Sequence, residues 1–155
     1  MDKITKEHIQ SKTIHEIWVT PEHPQRNTTA FRKSVNQLKA DGHFKCLCGA
    51  TENLEVHHIS EFCFEEDTDF VMLEKILMHF DPYGYSKAMI GQPITSVDDI
   101  RNLIVLCKPH HTGKGTGVHE MDFPLWIRQF VSLNGKNPVP QKGESVEEVE
   151  KRLEL

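Results

Sequence analysis

Two short pieces of the chain hold most of its metal-binding chemistry. The first is Cys46-Leu47-Cys48-Gly49, followed after a turn by Leu54-Glu55-Val56-His57-His58-Ile59. The second is Asn102-Leu103-Ile104-Val105-Leu106-Cys107-Lys108-Pro109-His110-His111. Together they contain three of the four cysteines and four of the ten histidines, a concentration that packing alone does not produce. Cys46, Cys48, Cys107 and His110 make a Cys3His set suited to tetrahedral zinc, which accepts soft thiolate and borderline imidazole alike. The C-x-x-H spacing of the second pair is that of a zinc knuckle, and the C-x-C spacing of the first is tighter than usual. His57, His58 and His111 remain beside the knuckles, where a zinc clip would bring them together.

Composition bounds the setting. At 155 residues, with 37% hydrophobic and 26% charged residues, the chain has the size and make-up of one folded domain. No run approaches the ~20 apolar residues of a membrane span. The opening Met-Asp-Lys-Ile-Thr-Lys-Glu lacks the apolar stretch of a signal peptide, so the cytoplasm is the expected location. Thiols stay reduced there, and cysteines are then metal ligands before they are disulfides. Cys63 stands apart and reads as a small buried hydrophobe.

The net charge of −5 argues against sequence-blind DNA binding, but its distribution is uneven. Residues 61–100 carry nine acids against two bases, whereas residues 1–60 and 101–137 are at +1 and +3. That pattern fits a nucleic-acid face with an acidic back, and it equally fits a solvated acidic helix.

The thiol pair, Val-His-His-Ile, and Asn-Leu-Ile-Val-Leu-Cys-x-x-His-His together resemble the HNH nucleases, the ββα-metal fold, in their zinc-stapled form. The usual family pattern is C-x-x-C, an Asp-His or His-His pair, then Asn-Leu-x-x-Leu-Cys-x-x-Cys-His. The resemblance covers about residues 44–112 and is closest at the two ends. The 43 residues between His58 and Asn102 exceed what such proteins commonly need, which implies an inserted helix and loop over 61–97. The resemblance implies an α+β fold: a ββα-metal core with structural zinc, a helical insertion and flanking helices. The implied organisation is an N-terminal extension over 1–26, a nuclease domain over 27–133, and a linker with a C-terminal helix over 134–155.

Periodicity and turn chemistry place the elements. Residues 14–19 read as a strand or helix end stopped by Pro21 and Pro24. Asn27-Thr28-Thr29 caps a helix running to about Ala40, with Phe31, Val35 and Leu38 inward and Arg32, Lys33 and Lys39 on the surface. His43 to Cys48 and Asn53 to Ile59 read as strands. In a regular strand His57 and His58 point to opposite faces. A second helix is expected from about Thr68 to Phe80 on a stripe of Phe70, Leu73, Leu77 and Phe80, broadened by Met72 and Ile76, with His79 at the surface or core edge. Residues 90–97 are loop or short strand, and Leu103 to Leu106 suits a buried strand. Thr112-Gly113-Lys114-Gly115-Thr116-Gly117 disfavours the helix that an HNH site builds next. It also lacks the Gly-Lys-Ser/Thr ending of a nucleotide-binding P-loop. Asp122 begins a helix to about Leu133 whose apolar face is Trp126, Phe130 and Leu133. Ser145 with Glu148 is a capping box opening the last helix, whose Val146, Val149 and Leu153 stripe implies docking on this chain or on a partner.

By the family match, His58 is the general base that activates water, and His57 and His111 hold a catalytic divalent ion: magnesium, manganese, nickel or cobalt. Asn102 matches the central Asn that braces the loop and orients the base. His119 is either a third imidazole for that ion or a helix-cap or surface residue. The implied activity is endonucleolytic hydrolysis of DNA, double-stranded, as in small HNH proteins of phages and mobile elements. The acidic insertion or the C-terminal helix would serve a protein partner, with no membrane involved. The alternative is a zinc-stapled DNA- or protein-binding module that has lost catalysis.

Overall fold

A computed structural model of the chain describes residues 11, 27–60, 65, 68–123, 126, 129 and 137–154. The readings for residues 14–24, for Cys63, and for Phe130 and Leu133 lie outside the described residues. The fold is small and α+β, with one two-stranded antiparallel sheet and several helices. Helix α1 (Thr29–Ala40) is followed by β1 (Leu54–His58), α2 (Phe70–His79), the short α3 (Tyr85–Ala88), a 3-10 turn over Ile100–Asn102, β2 (Leu103–Cys107), the short α4 (Lys108–Thr112) and α5 (Val146–Leu153). Among the described residues no helix is long and apolar enough to cross a membrane.

β2 is the centre of the structure. All five of its residues are buried, as an unbroken Leu-Ile-Val-Leu run requires when both faces of a strand are covered. Its register with β1 pairs Glu55 with Leu106, Val56 with Val105, His57 with Ile104, and His58 with Leu103. Residues directly opposite share a face, so this pairing sorts the side chains of both strands. One face carries Leu103 and Val105 against Leu38, Ile100, Phe31, Phe44 and Val56. The other carries Ile104 and Leu106 against Cys46, Cys107 and Trp126. Burying each such large apolar side chain contributes roughly 1.5–3 kcal/mol. A two-stranded sheet needs both layers because it is marginal alone. Away from β1, the Val105 N–H donates to the Tyr83 hydroxyl at 2.9 Å, which satisfies a strand edge that no further strand covers among the described residues.

The helices begin where their caps dictate. The Thr28 hydroxyl accepts from the Phe31 N–H at 2.9 Å, a cap that contributes about 1 kcal/mol. Asp69 caps α2 through the Met72 N–H, so this helix starts two residues later than its apolar pattern predicts. Leu73 and Leu77 are its buried positions, while Met72 and Ile76, expected to widen the stripe, are 51% and 54% exposed. His79 is exposed. The Ser145–Glu148 capping box forms with both of its bonds. Within α5, Val149 is buried and Val146 exposed. Arg152 ties the helix back to the preceding segment through Glu144 at 2.8 and 2.9 Å and through the carbonyl of Asn137. Phe123, Trp126 and Gln129 are helical, with the Trp126 N–H donating to Asp122 O at 2.9 Å.

The strand expected over 43–48 does not form. These residues are turns and irregular backbone, because the Cys46 N–H is taken by Ala50 O and the Gly49 N–H by Cys46 O. Those two bonds close a tight turn around the thiols. Gly49 has φ +92°, a conformation a side chain would strain, and that turn aims Cys46 and Cys48 at the end of β2.

Candidate metal centres

The first candidate centre joins that turn to the β2–α4 junction. Cys107 is both the last residue of β2 and the N-cap of α4, so His110 follows one helical turn later and faces the same point. The ligand atoms of Cys46, Cys48, Cys107 and His110 all lie within 4.8 Å of one another. Cys48 Sγ is 3.9 Å from Cys107 Sγ, and His110 Nδ1 is 3.7 Å from Cys46 Sγ and 3.3 Å from Cys107 Sγ. Zinc bonds of about 2.3 Å to sulfur and about 2.0 Å to nitrogen set tetrahedral ligands roughly 3.5–3.8 Å apart. The spacings fit, and this cluster could hold a metal ion such as zinc. Burial pushes the Cys46 thiol up to about 12 when no cation neutralises it, and burial lowers the pKa of His110. The lowered His110 is a neutral imidazole at pH 7, as a ligand must be. Trp126, which is buried, packs against Cys46 and Cys107 and donates its indole N–H to the His110 carbonyl at 3.0 Å.

The second group lies on the same face of the sheet. His57 projects from β1, His111 from α4, and His119 from beyond the glycine-rich loop. Their ligand atoms also fall within 4.8 Å of one another, and their ring centroids are 4.8–5.1 Å apart. The glycines explain how His119 gets there without a helix. Gly113 N–H and the Thr116 hydroxyl both donate to Pro109 O, and the Val118 N–H donates to His110 O at 2.9 Å. A Cβ on Gly113 would sit 2.2 Å from Pro109 O, and one on Gly117 would sit 2.7 Å from His111 O. Only glycine lets the loop fold this tightly onto α4 and return His119 to His111.

Tautomers follow from the partners. His111 Nδ1 faces the Glu55 carboxylate, which only accepts when ionised, so Nδ1 carries the proton. Its lone pair is then on Nε2, which lies 3.1 Å from His119 Nε2. Bonds of about 2.1 Å to one ion place neighbouring nitrogens roughly 3.0–3.4 Å apart, so this spacing also fits. A carboxylate behind a histidine is the usual outer support of a metal-bound imidazole. The sequence reading passed over Glu55, although period two puts it on the same strand face as His57.

His57 is buried, and that burial, with the neighbouring His111, His119 and His58 adding to it, holds its pKa down to about 3. Its ordinary value is 6.5, so above that pH both folded and unfolded chains carry it neutral. Between 6.5 and about 3 the unfolded chain takes up the proton and the folded chain does not. Stability therefore falls as the pH falls through this window, by up to roughly 1.4 kcal/mol per unit. Urea midpoints of the wild type and His57→Gln should accordingly converge between pH 7 and pH 5. A constant gap would show that His57 is not held neutral by the fold.

The other expected residues lie elsewhere. His58, one residue on from His57, turns to the α1 face, where its Nε2 meets Asp98 Oδ1 at 2.8 Å and its ring stacks on Phe31 at 5.7 Å. Asn102 is fully buried. Its Nδ2 donates to Val97 O at 2.9 Å, and its Oδ1 accepts from the Ser60 N–H at 3.0 Å. It thus links Ser60 and Val97 to the start of β2. No family model, no curated protein and no solved structure matches the chain.

Proposed function

We propose that the protein is a metal-dependent endonuclease of the HNH type that hydrolyses phosphodiester bonds in double-stranded DNA. The observation that carries this reading is the pairing of two metal-competent groups across one short sheet: a Cys3His cluster, and three histidines from β1, α4 and the glycine loop. The first would hold a structural zinc. The second would hold the catalytic divalent ion through His57, His111 and His119. Strand, strand and short helix follow in the order a ββα-metal core has, with the insertion between the strands. Arg32, Lys33 and Lys39 on α1 are exposed and supply positive charge at the surface.

His57, His111 and His119 would hold a divalent ion, which would supply positive charge to a phosphodiester undergoing hydrolysis. His58 takes one proton from a water molecule, the part an imidazole plays as general base. The water oxygen forms the new bond to phosphorus while the bond to the bridging oxygen breaks, and that oxygen leaves with a proton from solvent. Asn102 keeps the end of β1 and the start of β2 in register while this happens.

Plasmid cleavage by the wild type and His58→Ala tests the reading, scanned over magnesium, manganese, nickel and cobalt with bound zinc quantified. Cleavage by the wild type alone, with one zinc in both proteins, is the expected result, with a loss of at least ~100-fold in the variant. The second reading is a non-catalytic zinc-stapled module binding DNA or protein. It draws on the position of His58, which is engaged by Asp98 and Phe31 on the face opposite the three histidines. No cleavage by either protein with zinc retained would favour it.

A further inference from the structure

Asp98 is 2% exposed, yet it is a carboxylate with a full set of partners drawn from three parts of the chain. Its Oδ1 meets His58 Nε2 at 2.8 Å, and its Oδ2 accepts from the Thr28 hydroxyl at 2.6 Å. Its backbone N–H donates to Ser96 Oγ at 3.2 Å, and its carbonyl accepts from the Ser34 hydroxyl at 2.8 Å. Thr28 is itself the cap of α1, so the carboxylate is fixed from α1 before it touches the histidine. Burying a charge this deeply costs several kcal/mol unless each oxygen is bonded, so both bonds are required of the site.

We propose that Asp98 is a positioning residue for His58, holding its ring and its tautomer, an inference that rests on the nuclease reading above. An ionised carboxylate only accepts, so Nε2 carries the ring proton and the lone pair falls on Nδ1. Phe31 stacks on the ring at 5.7 Å between centroids, on the same side of the sheet. A base must present its lone pair in one direction, and an imidazole free to exchange tautomers presents the wrong nitrogen for part of the time. The arrangement Thr28–Asp98–His58 thus does for this histidine what a buried aspartate does for the histidine of a serine-hydrolase triad, on an unrelated scaffold. His58 is 13% exposed, which leaves an edge of the ring within reach of solvent.

Long-range proton–nitrogen correlation spectra of the zinc-loaded, nitrogen-15-labelled protein read the tautomer directly, and plasmid cleavage reads its consequence. The wild type is expected to show His58 as the Nε2–H form. Asp98→Asn is expected to show a mixed or inverted tautomer, with kcat lowered at least ~100-fold, KM within about threefold, and zinc retained. A wild-type Nδ1–H tautomer, or an Asp98→Asn enzyme cleaving at the wild-type rate, would overturn the assignment. The wild-type spectrum needs no variant, so it decides the matter even where Asp98→Asn does not fold. Absence of cleavage by the wild type in every ion would instead overturn the nuclease reading itself, and with it a base for Asp98 to position.

Discussion

Replacing Cys107 by serine is expected to empty the Cys3His site and abolish the cooperative thermal transition. Cys107 holds three positions at once: it ends β2, pairs in register with Leu54, and caps α4. A serine hydroxyl at neutral pH is neither soft nor ionised, so a zinc ion held there would lose a thiolate that serine does not replace. The remaining ligands are then left in an unfavourable place, since burial raises the Cys46 thiol and nothing compensates a charge there. The magnitudes decide the outcome. Structural zinc contributes apparent free energies of about 10–16 kcal/mol in zinc-finger peptides, while whole domains are stable by only about 5–15 kcal/mol. The two thiols of the 46–48 turn have no strand to hold them, and a two-stranded sheet is marginal by itself. Zinc content should fall from one per chain to near zero, and the melting transition should broaden or vanish. A Cys107→Ser protein that melts cooperatively within about 5 °C of the wild type would show that packing, not metal, holds the fold.

The parts of this structure that were legible in the sequence are those set by local chemistry. The cap at Thr28, the capping box at Ser145 and the buried run over β2 follow from residue type and period alone. The grouping of Cys46, Cys48, Cys107 and His110 followed from ligand type and knuckle spacing. The 43–48 segment reads as a strand on its own residues, whereas its backbone bonds close on one another around the thiols. Met72 and Ile76 misled for a different reason: helical spacing says which residues share a face, but not how wide a face the neighbours cover. Asp98 and Glu55 were passed over as site residues because their importance is tertiary. Asp98 meets a histidine 40 residues away and Glu55 one 56 residues away, and no window along the chain contains either pair.

If the proposed function holds, removing His57 or His111 is expected to weaken divalent-ion binding at the three histidines far more than removing His119 or Glu55, without disturbing zinc at the Cys3His cluster. Loss of a group behind a metal-bound histidine typically costs 10–100-fold in affinity, so Glu55→Gln should fall in that range. A ligand itself costs more, and His57→Ala and His111→Ala should each lose at least ~100-fold for nickel or cobalt by calorimetric titration. His57 is the stronger case because it is buried, held neutral by the fold, and fixed on a strand paired with Ile104. His119 is exposed and sits beyond a loop, so part of its contribution is offset by the entropy of ordering that loop. Its loss should therefore be the smallest among the three ligands, and cleavage should follow the same order. All four variants should keep one zinc, and those at His111, His119 and Glu55, none of them buried, should keep a wild-type melting temperature to within a few degrees. Equal affinity in wild type and His57→Ala would mean that the three histidines do not bind the ion together. Loss of zinc alongside would mean that the two groups form one centre, bridged through the adjacent His110 and His111.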